Sequence, residues 1–242
     1  MALNKEVFKT RSLTAVVFVL VMLAGLFWNW WSFVILFTII HFGCWYEFVK
    51  LMKKIHGAKF LPYCLLGLVY ITMPVLMIIG TSLDIHYKNT HSNNEPHFAL
   101  PAFVPIVFST LIPCGIIFSI WINDTMAYVV GSLIGKTPFS KISPKKTWEG
   151  TAGGAILCVV VIALLGYFIP AAKEIAVQHW IAIAAICAIF GTAGDLLESK
   201  IKRMADVKDS GSFMPGHGGF LDRFDSLLVA TPFVWLYVTL FV

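Results

Sequence analysis

Uninterrupted apolar runs, each about long enough to cross a lipid bilayer, recur along this chain and limit its fold more than any other feature. A helix needs about 20 apolar residues to span hydrocarbon. Runs of that order lie at 13–28, 31–49, 60–80, 101–121, 150–169, 179–197 and 227–242. In lipid every backbone polar group must be satisfied within its own segment, so such runs read as helices. Of the residues, 58% are hydrophobic and 13% charged, whereas about a quarter of a soluble domain is charged. The expected fold is all-α: a polytopic integral membrane helical bundle of about seven transmembrane helices, forming one domain over 1–242. A signal peptide is the alternative for the first run. No A-x-A-like site follows it, and the apolar character resumes at once, so two uncleaved spans joined by the Trp-rich turn Asn29-Trp30-Trp31 are expected.

The cations orient these spans. Sixteen of the eighteen Lys and Arg residues fall in four segments, 1–11, 50–59, 136–146 and 198–223, and only Lys88 and Lys173 remain. Seven spans with an inward N-terminus put all four segments on one side, as the positive-inside rule requires. The net charge of +5 therefore needs no nucleic-acid partner. Cys44, Cys64, Cys114, Cys158 and Cys187 sit inside apolar runs without metal-ligand spacing and read as packing residues. Glu47, near the end of the second run, is expected at the interface. The polar stretch 81–99, with His86, His91 and His97 at irregular spacing, reads as an exposed outer loop.

One stretch breaks the apolar pattern. Residues 191–226 hold six of the thirteen acidic residues and five of the eighteen Lys and Arg. Asp195, Glu198, Ser199, Lys202 and Arg203 fall at i, i+3, i+4, i+7 and i+8, one helix face with carboxylates first and cations last. Ser210-Gly211 and Pro215-Gly216 break that helix, and His217-Gly218-Gly219 follows. A second helix opens with Asp222 and Asp225, again three apart. Grouped carboxylates suit a hard cation such as Mg²⁺, and neighbouring Lys and Arg suit phosphate oxygens. A plain solvated loop needs no His-Gly-Gly between helix-phased aspartates. Asp195, Asp222 and Asp225 are the expected ligands of Mg²⁺, one ion or two, with Asp209 a weaker candidate and Asp124 near the substrate or a second ion.

Upstream, Asn123-Asp124-Thr125 follows a span directly, which is costly unless the pair faces protein or water. Residues 124–135 are too few to cross a bilayer and are expected as a short half-helix or a cavity-lining segment. They are not a Walker A loop, because Val130 stands where its first glycine would be. Ser143-Pro144-Lys145-Lys146-Thr147 sets a turn with an outward lysine pair, and Thr147 or Ser143 can cap a helix beginning near Trp148.

The string Ser199-x-Ile201-Lys202-Arg203, then Lys208-Asp209-x-Gly211, then Pro215-x-His217-Gly218-Gly219-x-x-Asp222-Arg223-x-Asp225 resembles the signature of phosphatidate cytidylyltransferases, the CDP-diacylglycerol synthases. Asn123-Asp124-Thr125-x-Ala127-Tyr128 and Ser143-Pro144-Lys145-Lys146-Thr147-x-Glu149-Gly150 resemble segments upstream of that signature. Met214 stands where the family has Leu, Ile or Phe, a change of little consequence in volume or polarity.

The resemblance implies transfer of the cytidylyl group of CTP to phosphatidic acid. It implies catalytic roles for Asp195, Asp222, Asp225, Lys208 and Asp209. Substrate would be bound by Asn123, Asp124, Ser143, Lys145, Lys146, Thr147, Ser199, Lys202, Arg203, His217, Gly218, Gly219 and Arg223. The expected setting is a bacterial inner membrane with the site on the cytoplasmic side, and a homodimer is compatible with it. A CTP-dependent lipid kinase of the dolichol-kinase type is the alternative. A transporter is a weaker one, because its charges would lie near the bilayer midplane rather than at one face. The D-x-x-D-G-x-x-A-R string of CDP-alcohol phosphatidyltransferases does not occur.

Overall fold

The computed structural model describes residues 5–90, 108–214 and 218–242, with the backbone alone described for 5–11 and 83–90. Helix α1 (Lys5–Phe27) is followed by α2 (Trp30–His56), then a third apolar segment built from α3 (Leu61–Cys64), a π-helical turn at Leu68–Thr72 and α4 (Met73–Thr90). Helices α5 (Leu111–Ile134), α6 (Trp148–Phe168), α7 (Val177–Met204) and α8 (Leu221–Phe241) complete the bundle. Six helical segments are long and apolar enough to cross a membrane: Trp30–Lys59, Leu61–Ser82, Leu111–Ile134, Trp148–Phe168, Val177–Met204 and Leu221–Phe241. The apolar part of α1, Ser12–Phe27, is shorter. The chain is thus a polytopic helical membrane protein.

The turn between α1 and α2 is as tight as the sequence suggests. Asn29 caps α2, its Oδ1 accepting from Ser32 N at 2.8 Å, while Ser32 Oγ accepts from Asn29 N at 3.0 Å. This reciprocal pair satisfies two backbone donors that a helix start leaves open. Trp28 and Trp31 flank the turn and are exposed, as suits interfacial tryptophans. All five cysteines are buried free thiols.

Three expectations change. Residues 124–135 are not a separate half-helix, because α5 runs unbroken from Leu111 to Ile134, but they do line a cavity, through Asp124, Ala127, Tyr128, Gly131 and Ser132. The length argument treated the polar Asn123-Asp124 pair as a break, but helix continuity depends on backbone bonding, and a polar pair facing a cavity is tolerated. Part of the expected outer loop is helical, because α4 continues through Thr90, whereas His91 and His97 lie outside the described residues. Glu47, expected at the interface, is not exposed but buried within the protein, 3% exposed, against the start of α8.

Helix α5 packs along α6, and α7 along α8. The α5–α6 pair can approach closely because small residues meet there. A Cβ on Gly150 would lie 2.7 Å from Ala127 O and 2.8 Å from Gly131 Cα, so a side chain at that position would push the backbones apart. One continuous apolar core, including Phe33, Phe37, Ile116, Ile183, Leu221 and Val234, joins α2, α5, α7 and α8. Three of the basic segments, 50–59, 136–146 and 198–223, meet at one end of the bundle. Lys54 Nζ on α2 donates to Asp206 O beyond α7, and Lys146 before α6 pairs with Asp195 on α7.

Candidate active site

The site is built where α7 ends and α8 begins. Three- and four-residue spacing stacks Asp195, Glu198 and Lys202 on the inner face of α7. Glu198 and Lys202 are buried there, together with Ser199. Gly194 has no side chain to hold α8 away. A Cβ on it would meet Asp225 O at 2.5 Å, so the close approach that brings Asp225 against α7 requires glycine.

Asp195, Glu198 and Asp225 consequently converge, each offering one carboxylate oxygen within 4.8 Å of the others. Glu198 is 0% exposed and its Oε1 has no hydrogen-bond partner, while its Oε2 meets Lys202 as an ion pair. Asp225 is also buried, and its Oδ1 accepts from Ser226 N at 2.7 Å.

Asp222, expected beside Asp195 and Asp225, is turned elsewhere. Its Oδ1 accepts from Lys202 Nζ at 2.6 Å. Its Oδ2 accepts from Ser210 N at 2.9 Å and Gly219 N at 2.7 Å. Helix phase puts Asp222 and Asp225 on one side of α8, but one turn separates them. The lower residue meets the loop and the upper one meets α7.

Among the described residues, four carboxylates (Asp195, Glu198, Asp222 and Asp225) form ion pairs with only two ammonium groups, Lys146 on Asp195 and Lys202 between Glu198 and Asp222, and Asp225 pairs with neither. Like charges held this close in a low-dielectric interior repel strongly unless a cation joins them. Three converging carboxylates, one of them with an oxygen buried without a hydrogen-bond partner, together with more carboxylates than ion-paired cations, fit a hard divalent ion.

A cavity of about 530 Å³ opens beside this cluster. Asn123 and Asp124 line it from α5, Ser143, Lys145, Lys146 and Thr147 from the loop before α6, and Asp195, Asp222, Arg223 and Asp225 from α7 and α8. Asn123 is buried, and its Oδ1 has no partner. The loop is folded back on itself. Phe139 N donates to Lys146 O at 2.8 Å, Trp148 N to Thr137 O at 3.0 Å, and Lys146 N to Ser143 O at 3.1 Å. Thr147 caps α6, its Oγ1 accepting from Gly150 N at 3.1 Å. Glu149 holds the far side of the loop by accepting from Thr137 Oγ at 2.8 Å and from the backbone N–H of Lys136 and Thr137. The lysine pair is thereby presented on a braced loop rather than a free one.

Other expected residues stand apart from the cavity. Ser199 is buried in the α7 face, and Lys202 reaches the cavity only through Asp222. Arg203 is exposed and donates to Val207 O at 2.8 Å, closing the end of α7. Eight positions past Asp195, it has drifted off the inner face, since 3.6 residues per turn does not return to phase there. Lys208 and Asp209 are exposed on the connecting loop. Gly218 and Gly219 press backbone against carboxylates; Gly218 adopts φ 85°. His217 lies outside the described residues.

Four contributors are absent from the expected ligand and substrate set. Glu198 was placed on the right face but not in the ligand set, although its spacing from Asp195 pointed there. Thr192 and Ser226 line the cavity as well, but nothing in their neighbourhood marked them. Glu47 reaches the α7–α8 loop from α2, and its only signal was a carboxylate inside an apolar run.

Comparison with known proteins bears on the same residues. A protein of Bacillus subtilis (strain 168) named phosphatidate cytidylyltransferase is 44% identical over 123 residues, 50% of this chain and 45% of that protein. One of the same name from Staphylococcus saprophyticus is 36% identical over 172 residues, 70% of this chain and 56% of that protein. Phosphatidate cytidylyltransferase 5, chloroplastic, of Arabidopsis thaliana is 42% identical over 127 residues, 52% of this chain and 30% of that protein. The matches therefore span about half or less of the relatives' own lengths. Residues 102–241, which carry the converging carboxylates, the braced lysine loop and the Asn123-Asp124 pair, match the sequence profile of the Cytidylyltransferase family, and the chain belongs to that family.

Proposed function

We propose that this chain transfers the cytidylyl group of CTP to phosphatidic acid, giving CDP-diacylglycerol and pyrophosphate. An oxygen of the lipid phosphate attacks the α-phosphorus of CTP, the bond from that phosphorus to the β-phosphate bridge breaks, and pyrophosphate leaves. The reading rests chiefly on the convergence of Asp195, Glu198 and Asp225 beside a cavity faced by Lys145, Lys146 and Arg223. The relatives' names supply the substrates.

Asp195, Glu198 and Asp225 are the residues that would hold Mg²⁺, one ion or two, and a metal there supplies neutralisation of phosphate charge. The protein's own groups position and shield. Lys145, Lys146 and Arg223 take phosphate oxygens, and the bracing by Glu149 and Thr147 keeps them aimed without reorganisation. Asn123 and Asp124 are assigned to the cytidine, where the unpartnered Asn123 oxygen accepts a donor. Asp222 holds Lys202 and the loop in place.

The same reading sets the site on the cytoplasmic side of a bacterial inner membrane, the side that the positive-inside rule gives to the basic end of the bundle. It includes a homodimer, which light scattering of the detergent-solubilised protein tests. For the activity, purified protein is incubated with phosphatidic acid, Mg²⁺ and CTP labelled at either the α- or the γ-phosphate. Transfer of the α label to lipid is expected. Transfer of the γ label alone would make the protein a lipid kinase, and transfer of neither would remove the reading.

A further inference from the structure

We propose that Glu47 of α2 is a positioning residue for this site, acting through the loop that joins α7 to α8. Nothing in the motif-bearing half of the chain points to it, and it lies outside the family match at 102–241. Its carboxylate is 3% exposed yet has no Lys or Arg partner among the described residues. Neutral donors hold it. Oε1 accepts from Phe220 N at 3.0 Å, and Oε2 accepts from Leu221 N at 2.9 Å. These are N–H groups at the start of α8, where the helix has none of its own carbonyls to offer. The positive end of the α8 dipole adds to the attraction. A carboxylate delivered from another helix thus does the work that an N-cap side chain usually does, since Phe220 itself provides no side-chain cap.

The link to the chemistry is Ser210. Its hydroxyl lies 2.7 Å from Glu47 Oε2 and 2.9 Å from Asp222 Oδ2, with one proton to give to either. Asp222 in turn holds Lys202, and Lys202 pairs with Glu198 in the metal-type cluster. A continuous path of polar contacts therefore runs from α2 to the converging carboxylates. The loop is shaped around Glu47. A Cβ on Gly211 or on Gly219 would collide with its carboxylate, so both glycines serve to let backbone reach it. With Glu47 in place, α8 starts at one fixed height and Asp225, one turn up, meets Asp195 and Glu198. Without it, the first turn of α8 is free to fray and the cluster loses its register.

The site role rests on the cytidylyltransferase reading; the staple itself does not. The test uses Glu47→Gln in the full chain, which keeps the shape but sets an amide NH₂ against N–H donors. Hydrogen exchange followed by mass spectrometry should show peptides over 209–222 exchanging about 10- to 100-fold faster, the cost of a charge-assisted bond, with α5 and α6 unchanged. Turnover should fall about 10- to 100-fold, as for groups that orient metal ligands. The Mg²⁺ midpoint should rise, with the KM for CTP changed less than kcat. Unchanged exchange overturns the staple. Faster exchange with unmoved kcat, or a lower kcat with an unmoved Mg²⁺ midpoint, overturns the positioning role. If Glu47→Gln does not fold, Ser210→Ala carries the test: it removes the hydroxyl that bridges Glu47 and Asp222 while leaving the Glu47 bonds to Phe220 N and Leu221 N in place, must lower kcat and raise the Mg²⁺ midpoint, and overturns the proposal if either stays at the wild-type value. Wild-type protein that transfers no label, with a 209–222 segment still slowed by Glu47, fails the activity reading and not the staple.

Discussion

Replacing Glu198 by Gln probes the cluster at its most buried point. The side chain is 0% exposed, its Oε1 has no partner, and its Oε2 touches Lys202. The substitution keeps volume and removes one charge. Lys202 is not orphaned, because Asp222 remains 2.6 Å away. The fold should survive, and the loss should fall on cation binding. Removing a group that merely orients a metal ligand costs about 10- to 100-fold in affinity, so loss of a ligand should cost at least about 100-fold. A cation at 100 times its dissociation constant stabilises the folded state by about 2.7 kcal/mol, and a 100-fold weaker site forfeits most of that. At about 2–4 °C per kcal/mol for a chain of this size, the Mg²⁺-dependent rise in Tm should shrink by roughly 5–10 °C. Thermal unfolding of wild type and Glu198→Gln in detergent, with Mg²⁺ and with EDTA, measures this directly, and labelled CTP turnover across the same titration gives the kinetic counterpart. A variant whose Tm and rate respond to Mg²⁺ as wild type does would remove Glu198 from the cation site and refute the charge-balance argument.

Lys146→Ala removes both the ion pair to Asp195 and a phosphate donor, and should lower kcat/KM by about 1–3 kcal/mol in the transfer assay; wild-type kinetics would reduce the residue to a topology anchor. Gly150→Ala drives a methyl against Ala127 O and Gly131 Cα and should destabilise the α5–α6 pair by about 1–3 kcal/mol, read as a lower Tm. Cysteines introduced singly at Lys141 and Lys208 should react with an impermeant maleimide from one side of the membrane and a cysteine at Lys173 from the other; labelling of all three from the same side would break the topology.

How much of this was legible in the sequence differs by kind of feature. Spans, turns and caps depend on neighbours in the chain. Apolar run length placed the helices, Asn29-Trp30-Trp31 was readable as a turn and Thr147 as a candidate cap, and the three-residue spacing of Asp195 and Glu198 put both on one face of α7. Those features follow from backbone geometry, which repeats every 3.6 residues whatever packs around it. The half-helix was misread for the same reason in reverse, since a polar pair looks like a break until the cavity that receives it is known.

Partnering of charges was beyond the sequence. Asp222 and Asp225 are three apart on one helix and look alike in the chain, yet one binds Lys202 and the loop while the other meets Asp195 and Glu198. Which does which depends on the height at which α8 crosses α7, and that is set by Gly194 and by a carboxylate 178 residues before Asp225 in the chain, Glu47. The sequence by itself determined a helical membrane bundle with a charged end and the side chains able to bind a cation and phosphate. Only the tertiary structure decided which carboxylates converge and which are neutralised, because Coulomb energy depends on distances between helices, and spacing along one helix cannot encode them.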